Sequence, residues 1–206
     1  MAAGTLIRSI AIATIYTREV FIEDAFIIYS DQQANGVHWL DRASGKLIRS
    51  ITLPQPPNGM TIIGNTILIN SVTTDLIYVV DKATGTTLRT FSSPDSLTRG
   101  LAFDGKYLYA SGQTAGKIYQ LSYPEGTIVN SFNSPASLLR GMTFDGRCLY
   151  VGDEGTKKIY QLSLPDGTVI RSFSVSVNAP VGIAMAERTM YYVTYGLSYI
   201  FEVDID

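Results

Sequence analysis

An all-β, five-bladed β-propeller with four antiparallel strands in each blade is the fold this sequence predicts, on three observations. First, a turn-centred segment recurs as AAGTLIRSI, ASGKLIRSI, ATGTTLRTF, PEGTIVNSF and PDGTVIRSF. Its glycines, Gly4, Gly45, Gly85, Gly126 and Gly167, are spaced 41, 40, 41 and 41 residues apart. A period in this range marks a repeat architecture. Second, each repeat resolves into four short segments with strand composition, and no stretch shows helical periodicity with caps. Third, the two ends are complementary. Residues 4–10 read as a fourth strand with no blade before it, and residues 181–206 read as three strands with no fourth after them. Joined, they complete a fifth blade and remove two exposed sheet edges. An open solenoid would need polar capping repeats at its ends instead.

The elements follow in order within each repeat. The first strand reads REVFI, NGMTII, RGLAF, RGMTF and VGIAM, beginning at Arg18, Asn58, Arg99, Arg140 and Val181. The second reads FIIYS, ILINS, YLYAS, CLYVG and MYYVT; the third VHWLD, IYVVD, IYQLS, IYQLS and IFEVD. The fourth is the LIRSI-type segment. These are rich in β-branched and aromatic residues and alternate in polarity. Asp104-Gly105 and Asp145-Gly146 join first and second strands, as Asp-Gly suits a tight hairpin in which both central residues take positive φ. The blades then span 18–51, 58–91, 99–132, 140–173, and 181–206 with 4–10, in a single domain.

Composition bounds the function. The chain has 206 residues, 46% hydrophobic and 17% charged, enough apolar material for a sizeable core. A formal net charge of −2 without charge blocks leaves no basic stripe to displace counterions, so nucleic-acid binding is not expected. Cys148 is the sole cysteine, so no internal disulfide forms; a cytoplasmic location is favoured. No run of roughly 18 or more apolar residues occurs, so no membrane span is expected. The apolar start lacks a basic n-region and carries Arg8 inside it, and is read as the closing strand rather than a signal peptide.

The repeats also provide an internal control, because residues at one blade position can be compared within the chain. His38 shares its column with Tyr78, Tyr119, Tyr160 and Phe201, so aromatic packing is expected; with no second histidine, a His-based metal cluster is excluded. Cys148 aligns with Ile27, Ile67, Tyr107 and Met190 and is expected to be a buried, inert thiol. Trp39 aligns with Val79, Gln120, Gln161 and Glu202, a permissive column expected to be partly exposed. Asp104, Asp145, Asp166 and Glu125 belong to turns.

Loops from fourth to first strands (11–18, 52–58, 92–99, 133–140, 174–181) share a face with those between second and third strands (30–35, 71–75, 111–115, 152–156, 194–198). That face rims the central channel. The residue entering the first strand is Arg18, Asn58, Arg99, Arg140 and Val181 in turn, which brings three arginines to the channel mouth. Guanidinium forks suit carboxylate or phosphate. The competing reading pairs each arginine with neighbouring carbonyls or acids such as Glu19, Asp31, Asp153 or Glu154.

No nucleophile elbow, P-loop, dinucleotide fingerprint, zinc-protease or EF-hand motif is present. The units at 100–132 and 141–173 resemble the blades of YVTN/NHL-like propeller repeat proteins, including streptogramin-lyase-like ones. The resemblance implies a propeller with a binding role in the broad sense. Catalytic members use histidines and acids on the channel face, and His38 stands alone on a third strand. Five-bladed glycosidases, glutaminyl cyclases and lectins share the blade count but not recognisable motifs with this chain. The expected function is therefore non-catalytic binding of an anionic small ligand or a protein at Arg18, Asn58, Arg99 and Arg140, with no metal or cofactor. One alternative is a small lyase or hydrolase using Asp31, Asp153 or Glu154 on the same face. Another is a structural assembly subunit with an apolar patch near Trp39.

Overall fold

The computed structural model describes residues 4–71, 73–175 and 177–205, and in it the chain closes on itself. Strand β1 (Leu6–Ala11) precedes four consecutive four-stranded meanders. The first comprises β2 (Thr17–Glu23), β3 (Phe26–Asp31), β4 (Gly36–Asp41) and β5 (Leu47–Thr52). The second comprises β6 (Gly59–Ile63), β7 (Thr66–Ser71), β8 (Leu76–Asp81) and β9 (Thr87–Ser92). The third comprises β10 (Thr98–Phe103), β11 (Tyr107–Gly112), β12 (Lys117–Ser122) and β13 (Ile128–Asn133). The fourth comprises β14 (Leu139–Phe144), β15 (Leu149–Asp153), β16 (Lys158–Leu162) and β17 (Val169–Ser174). The last three strands are β18 (Pro180–Ala186), β19 (Thr189–Thr194) and β20 (Tyr199–Asp204). β1 pairs antiparallel with β20, opposing Ser9 to Phe201 and Ile10 to Ile200, and so completes the fifth sheet. Gly4 N–H donates to the Asp204 carbonyl at 2.7 Å and Ile12 N–H to that of Ser198 at 2.9 Å, extending the closure at both ends. The fold is an all-β five-bladed propeller with its ring closed by the N-terminal strand.

Packing explains the strand patterns. β3, β7, β11, β15 and β19 are almost wholly buried, because each lies inside a sheet with a neighbouring blade on both faces. Five apolar clusters result, one at each blade–blade junction. The outer strands β1, β5, β9, β13 and β17 are edge strands and largely exposed. Their recurrent arginine reaches the next blade: Arg8 donates to the Arg42 carbonyl at 2.9 Å, Arg49 to that of Lys82 at 3.2 Å and Arg89 to that of Pro124. Asn130 does the same to Pro165 at 3.4 Å. The repeated turn thus carries a side chain that staples adjacent blades.

The inner strands β2, β6, β10, β14 and β18 pack side by side around the channel. A glycine column permits it. A Cβ on Gly59 would meet the Arg99 carbonyl, one on Gly100 the Arg140 carbonyl and the Met142 side chain, and one on Gly182 the backbone of Arg18 and Glu19. Only blade one carries a side chain there, Glu19.

Two expectations need correction. Trp39 is not partly exposed: it is 3% exposed within the junction of blades one and two, with the Arg49 guanidinium 3.7 Å above its ring. Its column points into the inter-blade groove, as Val79 at 2% and Gln120 at 8% exposure also show, and Gln120 is accommodated because its amide donates to the Tyr109 hydroxyl at 3.0 Å. In the Asp-Gly turns only glycine has positive φ, 96° at Gly105 and 95° at Gly146; each aspartate serves instead as acceptor for the N–H groups two and three residues on. His38 stacks on Tyr29 with ring centroids 4.8 Å apart, and Cys148 is buried at 4% exposure.

The glycine column makes Gly100→Ala an expected destabilisation on the order of 2–3 kcal/mol, read from the midpoint of urea unfolding, because a backbone carbonyl cannot move aside as a side chain would.

Candidate functional site

The channel mouth is built by a defect in the ladder. Pairing of β2 with β3 shifts register between Thr17 and Val20, of β10 with β11 between Thr98 and Leu101, and of β14 with β15 between Leu139 and Met142. Arg18, Arg99 and Arg140 lie in those bulges. A bulge leaves a residue unpaired and re-aims its side chain. The freed N–H of the next residue is taken up locally: Glu19 N–H by Ser30 Oγ at 3.0 Å and Gly100 N–H by Ser111 Oγ at 2.8 Å. In blade two Asn70 Oδ1 accepts from Gly59 N–H at 2.5 Å, without a bulge, and Asn58 is buried at 6% exposure. Asn58 therefore sits deeper than the arginines, and its Nδ2 has no partner among the described residues.

Each arginine is held by the side chain fourteen residues further on. Arg18 donates through Nε and Nη2 to Gln32 Oε1 at 2.8 and 2.6 Å. Arg99 donates through Nε to Gln113 Oε1 at 3.3 Å, while Gln113 Nε2 donates to the Leu139 carbonyl at 3.0 Å. Arg140 donates through Nε and Nη2 to Glu154 Oε2, the former at 2.7 Å. Among the described residues, Arg140 alone of the three has an ionic partner, and the Arg99 guanidinium forms no other hydrogen bond. The same column supplies Tyr195 in blade five, whose ring centroid lies 4.6 Å from Arg18 Cζ. Gln32, Gln113 and Tyr195 were not anticipated, although the constant offset from each arginine was present in the sequence.

The three guanidiniums are half-buried and feel one another. Burial lowers the Arg18 pKa from its ordinary value, and the Arg140 charge lowers it further. Arg99 is lowered by burial and then by Arg140 and Arg18. Glu154 is the carboxylate that opposes these effects at both. Three like charges against one carboxylate is an arrangement that an anion would relieve.

The nearby acids hold loops. Asp31 Oδ1 accepts from Gln33 and Ala34 N–H at 2.9 and 3.1 Å. Asp153 accepts from Thr156 N–H at 2.6 Å through Oδ1 and from Leu138 N–H at 2.8 Å through Oδ2. Asp95 ties Leu97, Thr114 and Ala115 N–H groups together, which holds its carboxyl below the usual range despite partial burial. These contacts fix the loops that frame the mouth.

Below the rim, Glu19 is fully buried and aimed at blade five, where its Oε1 accepts from Ile183 N–H at 2.8 Å. Its Oε2 has no partner among the described residues. Burial pushes its pKa well above the ordinary value, and the two backbone donors only partly offset this. At the far end of the channel, Phe21, Phe103 and Phe144 with Thr61 and Thr143 line a cavity of about 100 Å³. A larger concavity of about 410 Å³ lies off the channel between blades five and one. Arg8 pairs with Glu202 there and Arg42 donates to the Tyr191 hydroxyl at 3.0 Å, while Asp24 and Asp41 line the same concavity, so it carries acids as well as arginines. Among the described residues no His, Cys, Asp and Glu side chains are grouped to hold a metal ion, and no helix is long and apolar enough to cross a membrane.

Comparison with known proteins agrees with this architecture. A family model described as PQQ_2, outer membrane protein assembly factor BamB, matches residues 73–174, just under half of the chain. No curated protein sequence matches. Among solved structures, glutaminyl cyclase of Myxococcus xanthus is similar at a TM-score of 0.82 and 16% identity, covering 98% of this chain and 95% of its own. The WD40 β-propeller domain of Doa1 is similar at a TM-score of 0.62 and 12% identity, covering 91% and 63%. The computationally designed Ika8 protein follows at a TM-score of 0.55 and 13% identity, covering 92% and 58%. At these identities the likeness is one of fold.

The Glu19 carboxyl yields a pH signature. The folded state keeps its proton where the unfolded chain has lost it, so its stabilising contribution is complete below the ordinary value of 4.5 and is withdrawn as pH rises toward the folded pKa. Glu19→Gln is expected to raise Tm at neutral pH and flatten its decline from about pH 5 upward in calorimetry; an unchanged slope would mean that Glu19 is charged in the fold.

Proposed function

We propose that this propeller is a binding module that takes a carboxylate or phosphate group at the channel mouth, on Arg18, Arg99 and Arg140, with Asn58 beneath them. The observation that carries this reading is the convergence of three half-buried guanidiniums opposed by Glu154 alone. Gln32, Gln113 and Tyr195 hold Arg18 and Arg99 without neutralising them. The site is thus preorganised and left with positive charge, and an arriving anion need not break ion pairs at Arg18 or Arg99. The YVTN/NHL-like resemblance of the blades is compatible with such a role.

The catalytic alternative draws on the fold-level likeness to a glutaminyl cyclase. It has less support from local chemistry. Asp31 Oδ1 and both oxygens of Asp153 accept from backbone donors, and Glu154 is committed to Arg140. An acid engaged in this way is a poor proton carrier.

Thermal shift at constant ionic strength tests the reading. Inorganic phosphate and citrate are expected to raise Tm by several degrees more than chloride, in line with linkage at saturating ligand. The Arg99→Gln/Arg140→Gln double variant should lose that response while keeping its own Tm within a few degrees in ligand-free buffer, because removing like charges offsets the lost contacts. A response of equal size in the double variant would remove the rim as the site.

A further inference from the structure

The exposed apolar residues are distributed unevenly. Among the described residues, the large hydrophobic side chains exposed outside the outer strands are Ile15, Leu97, Leu138, Tyr195 and Tyr199. All five lie on the loops or strand starts of the arginine-bearing face, and none lies on the opposite one. Leu97 and Leu138 each stand two residues before a rim arginine, and Ile15 three before the third. Tyr195 covers Arg18 directly. These residues are 39–50% exposed, and the backbone N–H groups of Leu97 and Leu138 are pinned by Asp95 and Asp153. A cationic centre within an apolar ring, on rigid loops, has the composition of an interface core rather than of ordinary surface.

Resting on the anion-binding reading above, we infer that the natural occupant is an acidic peptide segment: a side-chain or C-terminal carboxylate enters the arginine mouth, and apolar residues beside it cover Leu97, Leu138 and Tyr195. Charge complementarity selects the acid. The apolar ring selects a chain long enough to reach several blades, which a small anion held by the guanidiniums is not. The recessed position of the arginines selects a protruding carboxylate over a flat anionic lipid surface, since the Arg140 side chain is only 19% exposed. Peptide docking by this combination would use charge for register and on-rate and apolar burial for residence time.

The test is an arrayed decapeptide library in which acidic and apolar positions are permuted, read with the full chain, alongside inorganic phosphate and phosphatidylserine vesicles as probes. Enrichment of peptides carrying an acid within two residues of Leu, Ile or Phe is expected. Leu97→Ser/Leu138→Ser should weaken the best of them about tenfold while leaving the phosphate response unchanged. Exposed leucines are chosen so that the fold survives, and an unchanged urea midpoint confirms it. If phosphate binds but no peptide is enriched, or enrichment ignores the apolar positions, the peptide inference fails and the anion site stands. If neither phosphate nor acidic peptides bind, both fail. Binding to vesicles without peptide enrichment assigns the face to a membrane and overturns the inference.

Discussion

The close approach of the five inner strands is the constraint on which this molecule depends. At Gly59, Gly100, Gly141 and Gly182 the backbones come so near that no Cβ fits between them. This narrows the centre of the ring and leaves little room there for side chains. Polar groups of the inner strands are consequently displaced to the ends. At one end a bulge beside the glycine turns an arginine outward; at the other, phenylalanines and threonines enclose a small cavity. The arginine-bearing face and the packing of the ring are therefore two outcomes of one local geometry, and a substitution in the glycine column would disturb both.

Blade one departs from this rule and sits at the most delicate junction. Glu19 replaces the glycine, and its carboxyl crosses to the Ile183 N–H in blade five. The chain ends meet next to that junction, inside blade five. No covalent link joins β1 to β20, so the ring is held there by the β1–β20 ladder, by the Arg8 pair with Glu202, and by this buried carboxyl, which ties β2 to β18. A buried carboxyl with one oxygen unpaired is costly when charged and far less so when protonated. Its protonation state thus couples the strength of the closure to pH.

The fold was legible because repetition averages out local ambiguity. Five turns of one form and two complementary ends left few arrangements, and the structure follows them down to the isolated closing strand. The rim arginines were legible for the same reason, since their column breaks the repeat at Asn58 and Val181. Other features were hidden by looking at columns one at a time. Gln32, Gln113 and Glu154 acquire meaning only as partners of the arginine fourteen residues before each. Trp39 was misjudged because its polar column-mates suggested exposure, whereas Gln120 satisfies its amide inside the groove and Arg49 covers the indole. Glu19 stands in the sequence as one candidate partner for a rim arginine, because the sequence does not reveal that its carboxyl reaches the Ile183 N–H of the neighbouring blade.

The proposed function requires Arg18, Arg99 and Arg140 to act together as one receptor for one anionic group. Side-chain Nε–Hε resonances of arginine, followed by NMR during titration with inorganic phosphate, report on it most directly. These three are expected to shift along a common saturation curve while the stapling arginines Arg8, Arg49 and Arg89 stay in place. Uniform small shifts across all six, or movement confined to the stapling arginines, would contradict it.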